Sequence, residues 1–221
     1  MFDRVAPRYD LLNDVMSLGQ HRGWRKVATH YLGAAPGLVL DLATGTGDFA
    51  VELVDAGAHR VIGLDFSERM LRAATAKASR TRPAASLQFI QGDALALPFA
   101  DQVFDGLTSA FLLRNLADLS GGLSEMHRVL RKGGRLVALD VTHPLPGVTG
   151  SLARWYLRSI VPWLGGILTD EWSAYRYLPA SVDPLPAPER LVALMHEVGF
   201  EGVDFRRLGL SSVAIHWGRA V

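Results

Sequence analysis

The feature that most restricts this chain is an alternation. From Leu38 to Val141, short apolar runs and amphipathic segments take turns along the sequence. Strands are expected at 38–42, 60–65, 87–91, 103–110 and 135–141. Helices are expected at 48–56, from Ser67 to about residue 80, and at 122–131. The last of these carries Leu123, Met126, Val129 and Leu130 at helical spacing and is expected to stop at Gly133-Gly134 with a left-handed cap. Strands separated by helices predict a parallel sheet with helices on both faces. Further on, 188–198 reads as a helix, and 202–208 with 212–217 as two closing strands near enough for an antiparallel hairpin. The expected architecture is therefore a Rossmann-like, mostly parallel seven-stranded sheet ending in that hairpin.

Four stretches divide the single expected domain. Residues 1–35 form a helical arm with apolar positions at Val15, Leu18, Trp24, Val27 and Tyr31, too few to make a core alone, so the arm must pack on the sheet. Residues 36–141 form the core. Residues 142–186 break the rhythm and hold three of the five tryptophans (Trp155, Trp163, Trp172) and three of the five tyrosines (Tyr156, Tyr175, Tyr177). An aromatic-rich segment after a strand's carboxyl end lies where open α/β sheets bind ligands. Residues 187–221 supply the last helix and hairpin.

Chemistry concentrates first at Asp41-Leu-Ala-Thr-Gly45-Thr46-Gly47-Asp48, a strand end running into a glycine-rich turn before a helix. Such a turn lets backbone approach a ligand closely, above the electropositive end of the helix. The run 45–50 fits the short dinucleotide pattern G-x-G-x-x-G/A, so a nicotinamide cofactor has to be weighed. Asp41, two residues before the turn, would set negative charge against a diphosphate, whereas a sulfonium amino acid tolerates a carboxylate. Asp65 closes the second strand and can accept both ribose hydroxyls. Asp93 and Ala94 come after the third strand, where a carboxylate and an amide could meet an adenine edge. S-adenosyl-L-methionine is the better fit.

Composition removes other classes. Lysine and arginine number 23 against 22 acids, so no nucleic-acid partner is implied. With no cysteine, thiolate metal sites, disulfides and cysteine nucleophiles are excluded, and no metal is expected. The start, Met1-Phe2-Asp3-Arg4, lacks the pattern of a secretory leader, and no apolar run is long enough for a membrane span. A cytoplasmic protein is expected.

The motifs around Asp41, Gly63-Leu-Asp65-Phe-Ser-Glu-Arg-Met-Leu71, Gly92-Asp-Ala94 and Phe104-Asp105 resemble those of class I methyltransferases. The segments 2–13 and 17–24 resemble the ubiquinone/menaquinone C-methyltransferases more closely. So do Ala96-Leu-Pro-Phe99, Leu113-Arg-Asn115, 128–135, Ala174-Tyr-Arg-Tyr-Leu178 and Val213-Ala-Ile-His216. The resemblance spans essentially the whole chain. It implies methyl transfer from S-adenosyl-L-methionine to a ring carbon of a demethylated isoprenoid quinol, such as demethylmenaquinol. Thr46 and Asp65 would contact the cofactor, Asp93 with Ala94 would flank its adenine, and Arg114 would be catalytic by assisting quinol deprotonation. Tyr9, Tyr175, Arg176 and Tyr177 would line the substrate pocket. Beyond the lipophilic substrate, the expected partners are a transient membrane-surface contact at the inner face and a second copy in a homodimer. His143 and His216 come up as proton acceptors, with structural hydrogen bonding the stronger reading for each.

The chain departs from the family pattern on the substrate side. Ala110 stands for a serine, Leu112 for a small residue and Asp140 for a glutamate. Asp183 replaces a basic residue, and 209–212 replaces a glycine-rich stretch. These departures keep another phenolic or polyketide-like acceptor open as the alternative substrate.

Overall fold

The computed structural model describes residues 9–34, 36–79, 86–160 and 184–221. In chain order its elements are α1 (Tyr9–Ser17), α2 (Gln20–Leu32), β1 (Leu38–Leu42), α3 (Asp48–Asp55), β2 (Arg60–Asp65), α4 (Glu68–Ala78), β3 (Leu87–Gln91) and β4 (Phe104–Ala110). A single 3-10 turn, Leu113–Asn115, leads to α5 (Leu119–Val129) and β5 (Leu130–Val141). Then come α6 (Val148–Trp155), a π-helical turn (Tyr156–Ile160), α7 (Pro188–Glu197), β6 (Phe200–Leu208) and β7 (Val213–Ala220).

The strands form one seven-stranded sheet in the order β3-β2-β1-β4-β5-β7-β6. The first five are parallel, while β7 runs antiparallel to both β5 and β6. The strand order reverses between β1 and β4, so a crevice opens at the carboxyl ends of those strands.

Each face has its own core. One face packs Leu40, Leu42, Leu107, Leu136 and Ala138 under Met126 of α5 and Leu191 and Met195 of α7. The other packs Val39, Val61, Val137 and Ile215 under Ala28 and Leu32 of the arm and Phe49 and Leu53 of α3. The arm is thus part of the core: Trp24, Val27 and Tyr31 pack half-buried against this cluster, whereas Leu18, expected on the same face, is 69% exposed. Tyr31 stacks on Trp217 with ring centroids 3.8 Å apart.

Two local expectations are corrected. Helix α5 ends at Val129, and Leu130 already pairs with Phe104 as the first residue of β5. The Gly133-Gly134 pair therefore does not cap the helix. It sits inside the strand, at a register shift between Phe104 and Gly106, with Gly133 at φ +81°. Helical spacing extends past the true helix end because Leu130 buries equally well from a strand. Helix α6 and the 3-10 turn that carries Arg114 are additions to the expected elements. Both come after strand ends, where no run is long enough to show a period.

Gly63 shows how closely the sheet approaches the loop. A methyl group there would lie 2.6 Å from Phe89 Cδ1 and 2.9 Å from Thr44 Oγ1. Gly63→Ala should therefore cost about 1–3 kcal/mol of stability through overpacking. Urea unfolding checks this, and a wild-type midpoint would show that Phe89 gives way freely.

Candidate functional site

The turn after β1 is held from below by a buried carboxylate. Asp41 Oδ2 accepts from Thr44 Oγ1 at 2.6 Å, and Oδ1 accepts from Thr108 Oγ1 of β4 at 2.8 Å. Burial pushes the Asp41 carboxyl up to about 6, against the pull of the two threonine hydroxyls and of Arg25. The backbone above it then turns sharply, with Ala43, Gly45 and Gly47 all at positive φ. At Gly47 a Cβ would meet Phe89 Cζ at 2.9 Å and Ala74 Cβ at 3.1 Å, so only glycine fits.

Asp65 reaches this turn from the next strand. Its Oδ2 accepts the Gly45 N–H at 2.8 Å, and its Oδ1 accepts the Ser67 N–H at 2.9 Å. Ser67 caps α4 by accepting from the Met70 N–H at 3.2 Å, so the acid and the helix start are fixed together. Gly92 N–H donates to the Asp65 carbonyl, which brings the end of β3 alongside. Asp93 is exposed there and its Oδ1 accepts the Leu95 N–H at 2.9 Å, while Ala94 packs on the core.

The arm covers the turn from the other side. A Cβ on Gly45 would lie 3.5 Å from the Tyr9 ring. Burial raises the Tyr9 hydroxyl above the usual tyrosine range, opposed by a hydrogen bond with Asn13 and by the charge of Arg114. Asp10 accepts from Thr46 Oγ1 at 2.5 Å and from Lys77 Nζ at 2.5 Å, and Lys77 also donates to Asp48 at 2.5 Å. From Asp48 the charges continue to Arg25 at 3.6 Å, then to His21 and Asp14. Arg25 donates to His21 Nδ1 at 2.7 Å, so Nε2 carries the proton that meets Asp14 Oδ1 at 2.7 Å.

Across the crevice, Arg114 leaves the 3-10 turn and pairs with Asp140 at the end of β5. Asp140 Oδ1 accepts from the Arg114 guanidinium and from the Val141 N–H, and Oδ2 accepts the Arg114 N–H at 3.2 Å. The two side chains are 9% and 4% exposed. The guanidinium carbon also lies 5.4 Å from the Phe111 ring centroid.

The structure thus gathers Asp41, Gly45, Thr46, Gly47 and Asp65 at one turn. Asp93 and Ala94 stand at its edge, with Tyr9 above it and Arg114 within electrostatic reach of Tyr9. Tyr175, Arg176, Tyr177, Trp163, Trp172 and Asp183 lie outside the described residues. The two histidines are engaged with carbonyls: His143 Nε2 with Leu185 at 3.2 Å and His216 Nε2 with Pro188 at 3.3 Å. Sequence reasoning missed Asp10 and Lys77, which are 67 residues apart and meet only because both flank the turn.

The Gly45–Gly47 cradle and the acid at the end of β2 are common to dinucleotide-binding folds, but an antiparallel β7 inserted between β5 and β6 gives the sheet of a class I methyltransferase. A model of the ubiE/COQ5 methyltransferase family matches residues 1–220, and the chain belongs to that family. A protein of Thermus thermophilus named demethylmenaquinone methyltransferase is 46% identical over 99% of both chains. One of the same name from Deinococcus radiodurans is 47% identical over 90% of this chain and 83% of its own. Solved structures share the fold at lower identity. The 4+2 cyclase SpnF has a TM-score of 0.73 at 18% identity, covering 99% of this chain and 94% of its own. A SAM-dependent methyltransferase of Thermotoga maritima has a TM-score of 0.71 at 20% identity, covering 100% and 98%.

Two buried groups make opposing contributions to acid stability. Asp41, raised to about 6, binds its proton more tightly when folded, so it stabilises the fold as pH falls from 6 toward 4. Burial lowers His216 to about 4, so its contribution is lost as pH falls from 6.5 toward 4. Each amounts to roughly 3 kcal/mol at 1.36 kcal/mol per pKa unit, and they nearly cancel. Asp41→Asn should steepen the loss of stability between pH 7 and pH 4 by about that much, and His216→Gln should flatten or reverse it. Urea titrations at four pH values measure this; profiles parallel to wild type would refute it.

Proposed function

We propose that this protein transfers a methyl group from S-adenosyl-L-methionine to a ring carbon of demethylmenaquinol, forming menaquinol. The observation that carries the reading is the match to the family over residues 1–220, together with relatives of that activity's name over nearly the full length. The turn suits the cofactor. Asp41 beneath it and Asp65 beside it set negative charge against a pyrophosphate and accept a cationic amino acid, the charges of Asp10 and Asp48 being offset by Lys77. When bound, S-adenosyl-L-methionine supplies an electrophilic methyl on a sulfonium.

Each residue has a defined task in this reading. Gly45 and Gly47 admit the amino-acid part of the cofactor, with Thr46 beside them. Asp65 exchanges its backbone partners for the ribose hydroxyls, and Asp93 with Ala94 borders the adenine. Tyr9 closes the turn from the arm and faces substrate, a role shared with Tyr175, Arg176 and Tyr177. Arg114 stabilises the phenolate of the quinol, which makes the adjacent ring carbon nucleophilic. Arginine keeps its proton, so it does not act as base. His216 is buried, held neutral and bonded to a carbonyl, which makes it a poor base; the proton goes to water or to Nδ1 of His143, whose Nε2–H is the one committed to a carbonyl.

The decisive assay supplies labelled S-adenosyl-L-methionine and reduced demethylmenaquinone and follows label into the quinone. No transfer, with transfer to another phenolic acceptor, would reassign the substrate. Asp65→Ala should weaken cofactor binding by about 1–3 kcal/mol by calorimetry. Arg114→Ala should leave cofactor affinity near wild type and lower kcat by roughly 100-fold or more.

We also infer peripheral contact with the inner membrane face of a cytoplasmic protein. Among the described residues no helix is long and apolar enough to cross a membrane. Helix α6 nevertheless exposes Val148, Leu152 and Trp155 at i, i+4 and i+7, at 88%, 53% and 56%. Leu145 precedes this stripe, and Tyr156 Oη donates to the Met16 carbonyl at 3.2 Å, bringing exposed Leu18 into the same region. A substrate with an isoprenoid tail gives such a stripe its use. Val148→Glu with Trp155→Glu should abolish co-sedimentation with phospholipid vesicles; undiminished binding would remove α6 from the contact. Sedimentation velocity of the same sample decides between a monomer and the homodimer.

A further inference from the structure

Among the described residues three buried side-chain polar atoms have no hydrogen-bond partner: Ser109 Oγ, Arg114 Nε and Thr142 Oγ1. Such atoms are few in native proteins, because an unmade bond on a buried polar group is costly. Here all three fall in one place. Ser109 lies one residue before the end of β4, Arg114 on the turn after β4, and Thr142 directly after β5. Ser109 pairs with Ala138, and alternation along β5 puts Ala138, Asp140 and Thr142 on that same face.

Asp140 accounts for the geometry of the group. It takes one terminal nitrogen of Arg114 and the Arg114 backbone N–H, so the guanidinium is fixed against the Phe111 face. Of the guanidinium nitrogens, Nε is the one left buried without a partner. Thr142 lies two residues beyond Asp140, roughly 6.6 Å along the strand, the scale of one aromatic ring.

We propose that Ser109 Oγ, Arg114 Nε and Thr142 Oγ1 form a polar subsite that receives the two oxygens of an aromatic diol, and that Asp140 is the positioning residue that sets it. This deepens the function proposed above and rests on its reading of Arg114 as the group that meets substrate. The division of labour comes from chemistry. Arginine only donates, so its Nε–H meets the oxygen that becomes a phenolate. The threonine and serine hydroxyls donate or accept, which suits the oxygen that keeps its proton.

The test begins with Thr142→Val and Ser109→Ala. A hydroxyl without a partner contributes no hydrogen bond to the free protein, so both variants should melt at or above the wild-type temperature. Their cofactor affinity should be unchanged. The Kd for a short-chain reduced demethylmenaquinone, measured anaerobically by calorimetry, should rise on the order of tenfold in each. Wild-type Kd values in both would overturn the subsite.

For Asp140, the substitution Asp140→Asn is made alone and beside Arg114→Ala. Acting through Arg114, it should lower kcat roughly tenfold or more alone and have no further effect in the double variant. Multiplying losses would overturn the positioning role. Asp140→Glu keeps the charge and should retain most of kcat, which decides the matter if Asp140→Asn does not fold. Undiminished kcat in Arg114→Ala alone would instead count against the catalytic reading of Arg114, because the Thr142 and Ser109 binding data do not depend on turnover.

Discussion

The turn after β1 depends on a carboxylate that is shut away from solvent. Asp41 ties the start of the turn to the neighbouring strand through two threonine hydroxyls, one from Thr44 and one from Thr108. A buried carboxylate without partners would be expelled or protonated, but two short hydrogen bonds make it a cross-brace. Because β1 and β4 are where the strand order reverses, that brace fixes the mouth of the crevice and the turn together. Gly45 at positive φ, the Asp65 contact and the approach of Tyr9 all depend on where Asp41 holds Thr44.

Charge organises the two sides of the crevice differently. Around the turn after β1 acids outnumber bases and are bridged by Lys77 and Arg25, so the arm and α3 are clipped together by a continuous chain of alternating sign. The Lys77 pairs are partly exposed and individually contribute little, while Arg25 is buried against Glu52. At the ends of β4 and β5 Arg114 and Asp140 are almost fully buried, and their pairing consumes only part of the arginine's hydrogen-bonding capacity. The first arrangement holds a segment in place. The second keeps a cation dry and oriented, which suits stabilising a forming anion.

Much of this is legible in the sequence, for reasons that differ by element. Strands β1 and β2 announce themselves because buried parallel strands are short apolar runs bounded by acids or glycine. The turn is readable because glycine and acid types are forced there by space and charge. Leu130 is misread as helix because burial alone does not separate the end of a helix from the start of a strand. Asp10 with Lys77, and Arg114 with Asp140, are invisible as pairs: they are separated by 67 and 26 residues, and only the folded sheet brings them together. Tyr175, Arg176 and Tyr177, expected to line a substrate pocket, lie outside the described residues.

The placement of β7 has a consequence for how the chain is made. It lies between β5 and β6 although it comes after both in sequence, and its Trp217 covers Tyr31 of the arm. Until residues 213–220 have been synthesised, β5 carries an unpaired hydrogen-bonding edge and α2 lacks part of the surface it buries. The arm precedes β7 in sequence and must therefore wait for that strand before it can dock completely. A nascent chain in that state exposes both the strand edge and the apolar side of α2, the surfaces a chaperone holds.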